Sequence, residues 1–233
     1  MEFKELDVLV IAPHPDDAEL GMAGGILALQ DAGQRVGVLD LTNGEPTPHG
    51  TPERRSAETA AATAVLRLHW RGNLGLENRK LQSTLESRAA LAGVIRQTRP
   101  RWLFAPYWQD AHPDHVAATQ LVDDARFWSK LSKCDLPGER HHPQRIFNYY
   151  CVHLKMHPQP AFVLDISAHW ETKIRAIQCY QSQFIEGRES MRPSFLEQFE
   201  YEARYWGKTI GVEFGEPYAC REPLGLNSLG SLL

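Results

Sequence analysis

The chain has 233 residues, 42% of them hydrophobic, so it can bury a core, and its length fits one large domain better than two small ones. Its 25 lysines and arginines against 29 aspartates and glutamates give a net charge of −4, which does not favour nucleic acid or an anionic membrane surface as a partner. No apolar run has the length of a signal peptide or a membrane span, so we expect a cytoplasmic protein. We expect neither nucleic acid nor a membrane as a partner.

The first half of the chain alternates apolar strands with helical patterns. The first strand is a continuous apolar run, which is typical of a parallel strand covered on both faces. Glycine or proline follows several of the helices. The predicted elements are a strand at 7–12, a helix at 18–32, a strand at 35–41, a helix at 52–67, a strand at 68–73, a helix at 85–98, a strand at 102–105 and a helix at 116–128.

The second half begins with a polar surface excursion. Its predicted elements are that excursion at 129–144, strands at 145–154 and 161–166, and helices at 168–181 and 194–208. The alternation predicts a single Rossmann-like α/β domain over 1–233, with a doubly wound, mostly parallel sheet and helices on both faces. We expect 1–128 to form the core βα units with the site, and 129–233 to add strands, C-terminal helices and contacts between copies.

Two clusters of imidazole and carboxylate groups follow two of the predicted strands. The clusters are His14-Pro15-Asp16-Asp17 and His112-Pro113-Asp114-His115. In the common strand order 3-2-1-4-5, strands one and four are neighbours, so segments about 100 residues apart meet in the crevice outside their carboxyl ends. Either cluster alone has an ordinary explanation, since Asp16 or Asp17 would also serve as the cap of the next helix. Two such clusters on neighbouring strands favour a functional site.

Three of these side chains form a familiar set of metal ligands. His14, Asp17 and His115 offer two imidazoles and a carboxylate, which suit a catalytic zinc or iron ion with one position open for water. Such a metal lowers the pKa of the water that it binds to roughly 7 and polarises a carbonyl group. The sequence therefore predicts a hydrolytic metal centre.

The remaining groups of the two clusters suit proton transfer. Asp16 is adjacent to a predicted ligand but directed differently, so we expect it to accept a proton from the water as a general base. His112, held by Asp114, is expected to supply a hydrogen bond or positive charge to a tetrahedral oxyanion and its leaving amine. Each carboxylate then has a separate role.

The two motifs also resemble those of a known family. The segment Ala12-Pro13-His14-Pro15-Asp16-Asp17-Ala18-Glu19-Leu20-Gly21, together with His112-Pro113-Asp114-His115, is similar to the zinc-dependent de-N-acetylases of N-acetylglucosaminyl compounds, the LmbE-like or PIG-L family. The resemblance extends over nearly the whole chain. Segments 50–55, 181–184 and 211–217 look like the deacetylase of bacillithiol biosynthesis, which removes acetate from N-acetylglucosaminyl malate.

The resemblance implies site residues and an assembly. It implies His14, Asp17 and His115 as metal ligands, Asp16 as general base, and His112 with Asp114 as an auxiliary acid pair. Arg55 and Arg145 match positions that look substrate-binding, and guanidinium groups suit malate carboxylates. Alternatively, each of these arginines is an ordinary solvated surface residue. Because Arg54 is adjacent to Arg55, the sequence leaves open which of the two faces the ligand. The family also suggests a homo-oligomer, a trimer or a hexamer.

The sequence thus predicts a zinc-dependent hydrolase that deacetylates an N-acetylglucosaminyl conjugate, with ferrous iron as the alternative metal. A second possibility keeps the chemistry and changes the substrate to another N-acetylglucosamine conjugate or a thiol conjugate. A possibility of a different class is a noncatalytic metal- or sugar-binding module. The intact Asp16, His112 and Asp114 argue against that module, because binding alone needs no groups for proton transfer.

Overall fold

Seven strands form one sheet in the computed structural model, which describes residues 2–154, 156–225 and 228. The strands are β1 (Val8–Ala12), β2 (Val36–Thr42), β3 (Trp70–Leu76), β4 (Trp102–Pro106), β5 (Arg145–Tyr149), β6 (Phe162–Asp165) and β7 (Gly215–Ala219). Their order is β3-β2-β1-β4-β5-β7-β6. The first five strands pair in parallel, and β7 is antiparallel to β5 and β6. The predicted α/β class, mostly parallel sheet and order 3-2-1-4-5 are confirmed.

Seven α-helices accompany the sheet in the described part of the chain. They are α1 (Asp17–Asp31), α2 (Pro52–Val65), α3 (Leu85–Thr98), α4 (Pro113–Ser129), α5 (Trp170–Gln178), α6 (Gln181–Phe184) and α7 (Phe195–Ile210). Local chemistry fixes several helix starts: the hydroxyls of Thr51, Thr84 and Ser194 accept backbone N–H groups of the first turns of α2, α3 and α7. Among these residues, every helix is too short or too polar to cross a lipid bilayer.

Residues of β1 alternate between two hydrophobic cores. Leu9 and Ile11 pack with side chains of α3 and α4 on one face of the sheet. Val8 and Val10 pack with side chains of α1 on the other face. Because both faces are covered, the strand needs apolar residues at every position, which explains its continuous apolar run.

The second half of the chain differs from the prediction in three elements. The strand predicted at 145–154 ends at Tyr149, and the helix predicted at 168–181 is divided between α5 and α6. The strand β7 was not predicted at all. Its sequence, Gly215-Glu216-Pro217-Tyr218-Ala219, contains glycine, proline and a charge, which are all rare in strands, although all five residues are buried.

Helix α1 is broken after its first turn. Met22 has φ −153° and ψ 24°, which are not helical values. Beyond the break, the backbone N–H groups of Gly24 and Gly25 donate to the two carboxylate oxygens of Glu216, at 2.9 and 2.7 Å. Glu216 therefore acts as a cap for the second part of α1, supplied by a strand almost 200 residues away.

A buried lysine completes this connection. Lys173 on α5 is 2% exposed, and its Nζ donates to the carbonyl oxygen of Leu20 at 2.7 Å, before the break. The same ammonium group forms an ion pair with Glu216. The pair thus joins the two parts of α1 and leaves neither charge alone in the interior.

We expect the variant Lys173→Met to lower the free energy of unfolding by about 3–5 kcal/mol, because it leaves the buried Glu216 carboxylate without its cation. Urea denaturation followed by circular dichroism measures this loss. The double variant Lys173→Met/Glu216→Gln should be more stable than the single one. As a matched control, Lys80→Met breaks an ion pair with Glu77 on the surface and should leave the midpoint unchanged. Equal midpoints for Lys173→Met and Lys80→Met would contradict a stabilising role of the buried pair.

Candidate active site

The two polar clusters meet at the carboxyl edge of the sheet. β1 and β4 are parallel neighbours, with Val8 opposite Trp102. Each strand leads into a short turn and then into a helix, α1 or α4. The imidazole centroid of His14 lies 4.9 Å from that of His112 and 5.5 Å from that of His115. The strand order therefore brings together residues that are about 100 positions apart, as the topological argument requires.

Three buried side chains converge around one point. Nδ1 of His14 lies 3.0 Å from Oδ2 of Asp17, and Nε2 of His115 lies 3.4 Å from Oδ1 of the same carboxylate. One donor atom from each of the three residues lies within 4.8 Å of the other two. Two imidazoles and a carboxylate at this spacing fit a divalent cation such as zinc or ferrous iron.

The charged groups here act strongly on one another. Burial is the largest effect and opposes the charged form of Asp17 and of His115, but it is outweighed by their mutual attraction together with hydrogen bonds from His14 to Asp17 and between His115 and Asp110. As a result, the pKa of Asp17 lies well below its usual range and the pKa of His115 lies well above its own. The carboxylate of Asp17 is therefore ionised, which is the form that binds a cation.

Asp110 is a site residue that the sequence prediction missed. Its Oδ1 lies 3.3 Å from Nδ1 of His115 and accepts the backbone N–H of His112 at 2.7 Å. A carboxylate beside the second nitrogen of a metal-binding imidazole fixes the orientation of the ring. The sequence feature that could have indicated it is its position, two residues before His112 in the same loop. Asp110, His115 and the thiol of Cys151 form a second group of side chains whose donor atoms lie close together.

Asp16 lines the same cleft as the three grouped side chains, but its carboxylate is paired with a different residue. Its carboxylate Oδ2 lies 3.1 Å from Nη1 of Arg55, and its backbone has φ 127°, a value that L-residues rarely adopt. Burial raises the pKa of Asp16 to about 7, against the opposing effect of the Arg55 charge. The side chain makes no capping hydrogen bond to α1, so the ordinary explanation as a helix cap does not hold for Asp16.

The expected contact between His112 and Asp114 is corrected by the structure. The carboxylate of Asp114 does not hold the imidazole of His112: its Oδ2 lies 3.3 Å from Nε2 of His14 and accepts the backbone N–H of Arg79 at 2.7 Å. Instead, the backbone N–H of Asp114 donates to Nδ1 of His112 at 3.2 Å. The reason is the helix start, since His112 caps α4 and its ring turns toward the first free N–H groups.

This cap determines what His112 is able to donate. Because Nδ1 accepts a backbone N–H, the proton of the neutral ring is on Nε2. Burial, together with the neighbouring His115 and His14, lowers the pKa of His112. The residue is therefore a neutral hydrogen-bond donor at pH 7 rather than a cation.

The three arginines considered from the sequence lie in different places. Arg55 on α2 is 3% exposed and lines the cleft next to Asp16. Arg54 forms ion pairs with Glu186 and Glu58 and is partly exposed. The structure does not bring Arg145 to the cleft: it starts β5 at the opposite edge of the sheet, and its Nη1 donates to the carbonyl oxygen of Pro223 at 2.6 Å.

The cleft has a volume of about 260 Å³ and receives side chains from both halves of the chain. The imidazole centroid of His153 lies 5.7 Å from those of His112 and His115. Lining residues that the sequence prediction did not place here include Thr47, Arg79, His153, Gln183, Arg188 and Phe195. They come from loops and helix ends, where sequence periodicity does not predict which way a side chain points.

The chain is similar to known proteins in sequence and in fold. Residues 9–126, which contain both clusters, match the family model PIG-L, described as GlcNAc-PI de-N-acetylase. The diacetylchitobiose deacetylase of Thermococcus kodakarensis is 31% identical over 223 residues, covering 90% of this chain and 80% of that protein. A conserved protein of Thermus thermophilus has a TM-score of 0.86 and 39% identity, covering 95% of this chain and 97% of that one. N,N'-diacetylchitobiose deacetylase from Pyrococcus horikoshii has a TM-score of 0.76 and 27% identity, covering 91% of this chain and 82% of that one.

We expect the variant His115→Ala to weaken divalent-metal binding more than roughly 100-fold, because it removes a predicted ligand. Asp110→Asn should weaken binding by roughly 10- to 100-fold, since the imidazole loses the carboxylate that orients it. Competition with a chromophoric chelator measures both affinities. The control is His153→Ala, which lines the same cleft but belongs to none of the metal-holding groups in the described residues. Equal affinities for Asp110→Asn and His153→Ala would exclude the orienting role of Asp110.

Proposed function

The chain belongs to the PIG-L family of GlcNAc-PI de-N-acetylases, and we propose that it hydrolyses the acetamide group of an N-acetylglucosaminyl compound. One observation carries the proposal. Two imidazoles and an ionised carboxylate are grouped at the base of a cleft, and a separate carboxylate, Asp16, lies beside them with a different orientation. This combination suits metal-assisted hydrolysis of an amide.

We propose that His14, Asp17 and His115 hold the metal ion, with zinc as the expected metal and ferrous iron as the alternative. When bound, such an ion lowers the pKa of water and polarises the carbonyl group of the substrate. All three residues line the cleft, so water and substrate would reach the ion from there, as hydrolytic sites require. His14 is further supported by Asp114, whose carboxylate lies 3.3 Å from its Nε2.

The proposed reaction assigns Asp16 as the general base. It accepts a proton from the attacking water while the water oxygen forms a bond to the acetyl carbon. The bond between that carbon and the sugar nitrogen then breaks, and the proton held by Asp16 passes to the departing amine. The second proton of the water, left on the new carboxyl group, also passes to the amine, so the products are acetate and the protonated amino sugar, and atoms and charge balance.

We assign His112 to the carbonyl oxygen. Its Nε2–H is directed by the cap at Nδ1, so the donor is oriented before the substrate arrives. As the oxygen gains negative charge in the tetrahedral state, this hydrogen bond becomes stronger. The role of Asp114 in the proposal is to position His14, rather than to act on His112 as an acid pair.

We propose N-acetylglucosaminyl malate as the substrate, as in bacillithiol biosynthesis. Segments 50–55, 181–184 and 211–217 resemble that branch of the family, and Gln183 from the second segment lines the cleft. The second candidate substrate is diacetylchitobiose, because the named relatives from Thermococcus kodakarensis and Pyrococcus horikoshii are diacetylchitobiose deacetylases. Arg145 contacts Pro223 away from the cleft, so it does not support malate as part of the substrate.

The homo-oligomer suggested by the family, a trimer or a hexamer, stays a prediction. Large apolar side chains are exposed on α7, in the C-terminal third: Tyr201, Tyr205 and Ile210 are 59%, 57% and 44% exposed. Helix surfaces of this kind are often covered by another subunit. A monomeric mass by light scattering would contradict the prediction.

We expect the metal-loaded protein to release acetate from N-acetylglucosaminyl malate faster than from N-acetylglucosamine. Removal of the metal with a chelator should abolish release, and added zinc or ferrous iron should restore it. An enzymatic acetate assay measures the rates, with diacetylchitobiose as a third substrate. A preference for diacetylchitobiose would overturn the malate assignment and keep the deacetylase. A protein that binds metal but releases no acetate from any of the three would contradict the proposed function.

We expect Asp16→Asn to lower kcat by roughly 10²- to 10⁴-fold, because the amide cannot accept the proton of the attacking water. Metal content per chain should stay near that of the unmodified protein, since Asp16 is not one of the proposed ligands. The control is Asp31→Asn, a change at the far, exposed end of α1 that should leave kcat unchanged. Near-normal turnover of the Asp16→Asn variant would show that another group is the base.

A further inference from the structure

We propose that Arg188 binds an anionic group that the substrate carries outside its acetylated sugar. The substrate is then an anionic conjugate of N-acetylglucosamine, in which a carboxylate or a phosphate group accompanies the sugar. The inference rests on the proposed function and deepens it, because it names the substrate class of the same cleft. It also assigns the anion to a residue that the sequence prediction did not consider.

The arginines that line the cleft differ in what balances their charge. Arg55 is buried, and its Nη1 lies 3.1 Å from the carboxylate of Asp16. Arg79 and Arg188 also line the cleft, but both are exposed. Within the described part of the chain, neither of them forms an ion pair with a carboxylate. The open side of the cleft therefore has two positive charges that the described residues do not balance.

The loop that carries Arg188 is fixed against the first half of the chain. Glu186, two positions earlier, forms an ion pair with Arg54 of α2. Gly187, the residue directly before Arg188, lies so close to the imidazole of His49 that a Cβ atom there would overlap the ring. Because these contacts flank Arg188, the fold sets the position of this side chain at the cleft.

The guanidinium group of Arg188 is available for a ligand. Its Cζ lies 6.0 Å from the ring centroid of Phe195, and that ring stacks on Phe184 with the centroids 4.6 Å apart. Both rings line the cleft as well. An arginine beside an aromatic ring keeps its N–H groups free, and these groups bind a carboxylate or a phosphate through paired hydrogen bonds. A neutral sugar would leave this charge without a partner.

Arg79 adds positive charge to the cleft from a second loop, the one after β3. Its backbone N–H donates to Oδ2 of Asp114 at 2.7 Å, and its Nη2 donates to the carbonyl oxygen of Pro46 at 2.6 Å. A carbonyl group holds the side chain in place but does not neutralise it. The attraction of the cleft for an anion thus comes from both loops, while Arg188 offers the guanidinium group that is not engaged elsewhere.

Steady-state kinetics test the proposal through one quantity, the ratio of kcat/KM for N-acetylglucosaminyl malate to that for N-acetylglucosamine. We expect Arg188→Ala to lower this ratio roughly 5- to 30-fold, because charge-assisted hydrogen bonds to the anion are lost. Arg188→Lys should keep part of the preference, and added salt should weaken it in the unmodified protein. N-acetylglucosamine 1-phosphate, measured in the same way, distinguishes a phosphate from a carboxylate as the preferred anion.

Arg192 supplies a matched control from the same loop. Its Nη1 donates to the carbonyl oxygens of Glu189 and Met191, and the described residues that line the cleft do not include it. Arg192→Ala removes the same charge, so the ratio should stay as in the unmodified protein. An unchanged ratio in the Arg188→Ala variant would overturn the proposal. Equal losses in the Arg188→Ala and Arg192→Ala variants would also overturn it.

Calorimetry separates this inference from the proposed function. In the metal-loaded Asp16→Asn variant, where turnover is expected to be slow, Arg188→Ala should weaken binding of N-acetylglucosaminyl malate by the same factor of roughly 5 to 30. If the unmodified protein releases acetate only from neutral sugars, the deacetylase stands and the role of Arg188 is wrong. If it releases acetate from none of these compounds, the proposed function is wrong, and the binding measurement alone decides on Arg188.

Discussion

Buried charge around the first turn of α1 is the constraint on which the site depends. Three cations from three different elements meet this turn: Arg55 of α2 with Asp16, Arg71 of β3 with Glu19, and Lys173 of α5 with the carbonyl oxygen of Leu20. Removing one of these cations leaves a buried carboxylate without its cation, namely Asp16, Glu19 or Glu216, which costs several kcal/mol. The turn also carries Asp17. The segment that carries a proposed metal ligand is thus held in place by cations from three other elements.

The same arrangement explains why the C-terminal part of the chain matters to the site. Lys173 and Glu216 come from this part, and together they fix the two sections of the broken helix α1. His153 and Gln183 line the cleft from the same part. The βα units of the first half provide the groups proposed for chemistry, and the second half supports them and forms much of the wall around the substrate.

The sequence predicted the parts of the molecule that depend on local pattern and on topology. The apolar run of β1 predicted a strand covered on both faces, and the strand order brought the two clusters together. The prediction failed where distant partners decide the structure. The strand β7 contains a glutamate whose burial depends on Lys173 and on the N–H groups of α1, and these partners are distant in the sequence. The carboxylate of Asp114 contacts His14, whereas His112 serves as a helix cap. The substrate-binding role predicted for Arg145 came from the family resemblance, but Arg145 begins β5 and therefore lies at the edge of the sheet opposite the site.

Anomalous diffraction from crystals soaked with zinc tests the central claim most directly, namely that His14, Asp17 and His115 form one metal site. The account predicts a peak about 2.0–2.2 Å from one ring nitrogen of each histidine and from a carboxylate oxygen of Asp17. Asp16 should lie close to this peak without contributing a bond to it. A peak held by other residues, or no peak in a protein that releases acetate, would contradict the account.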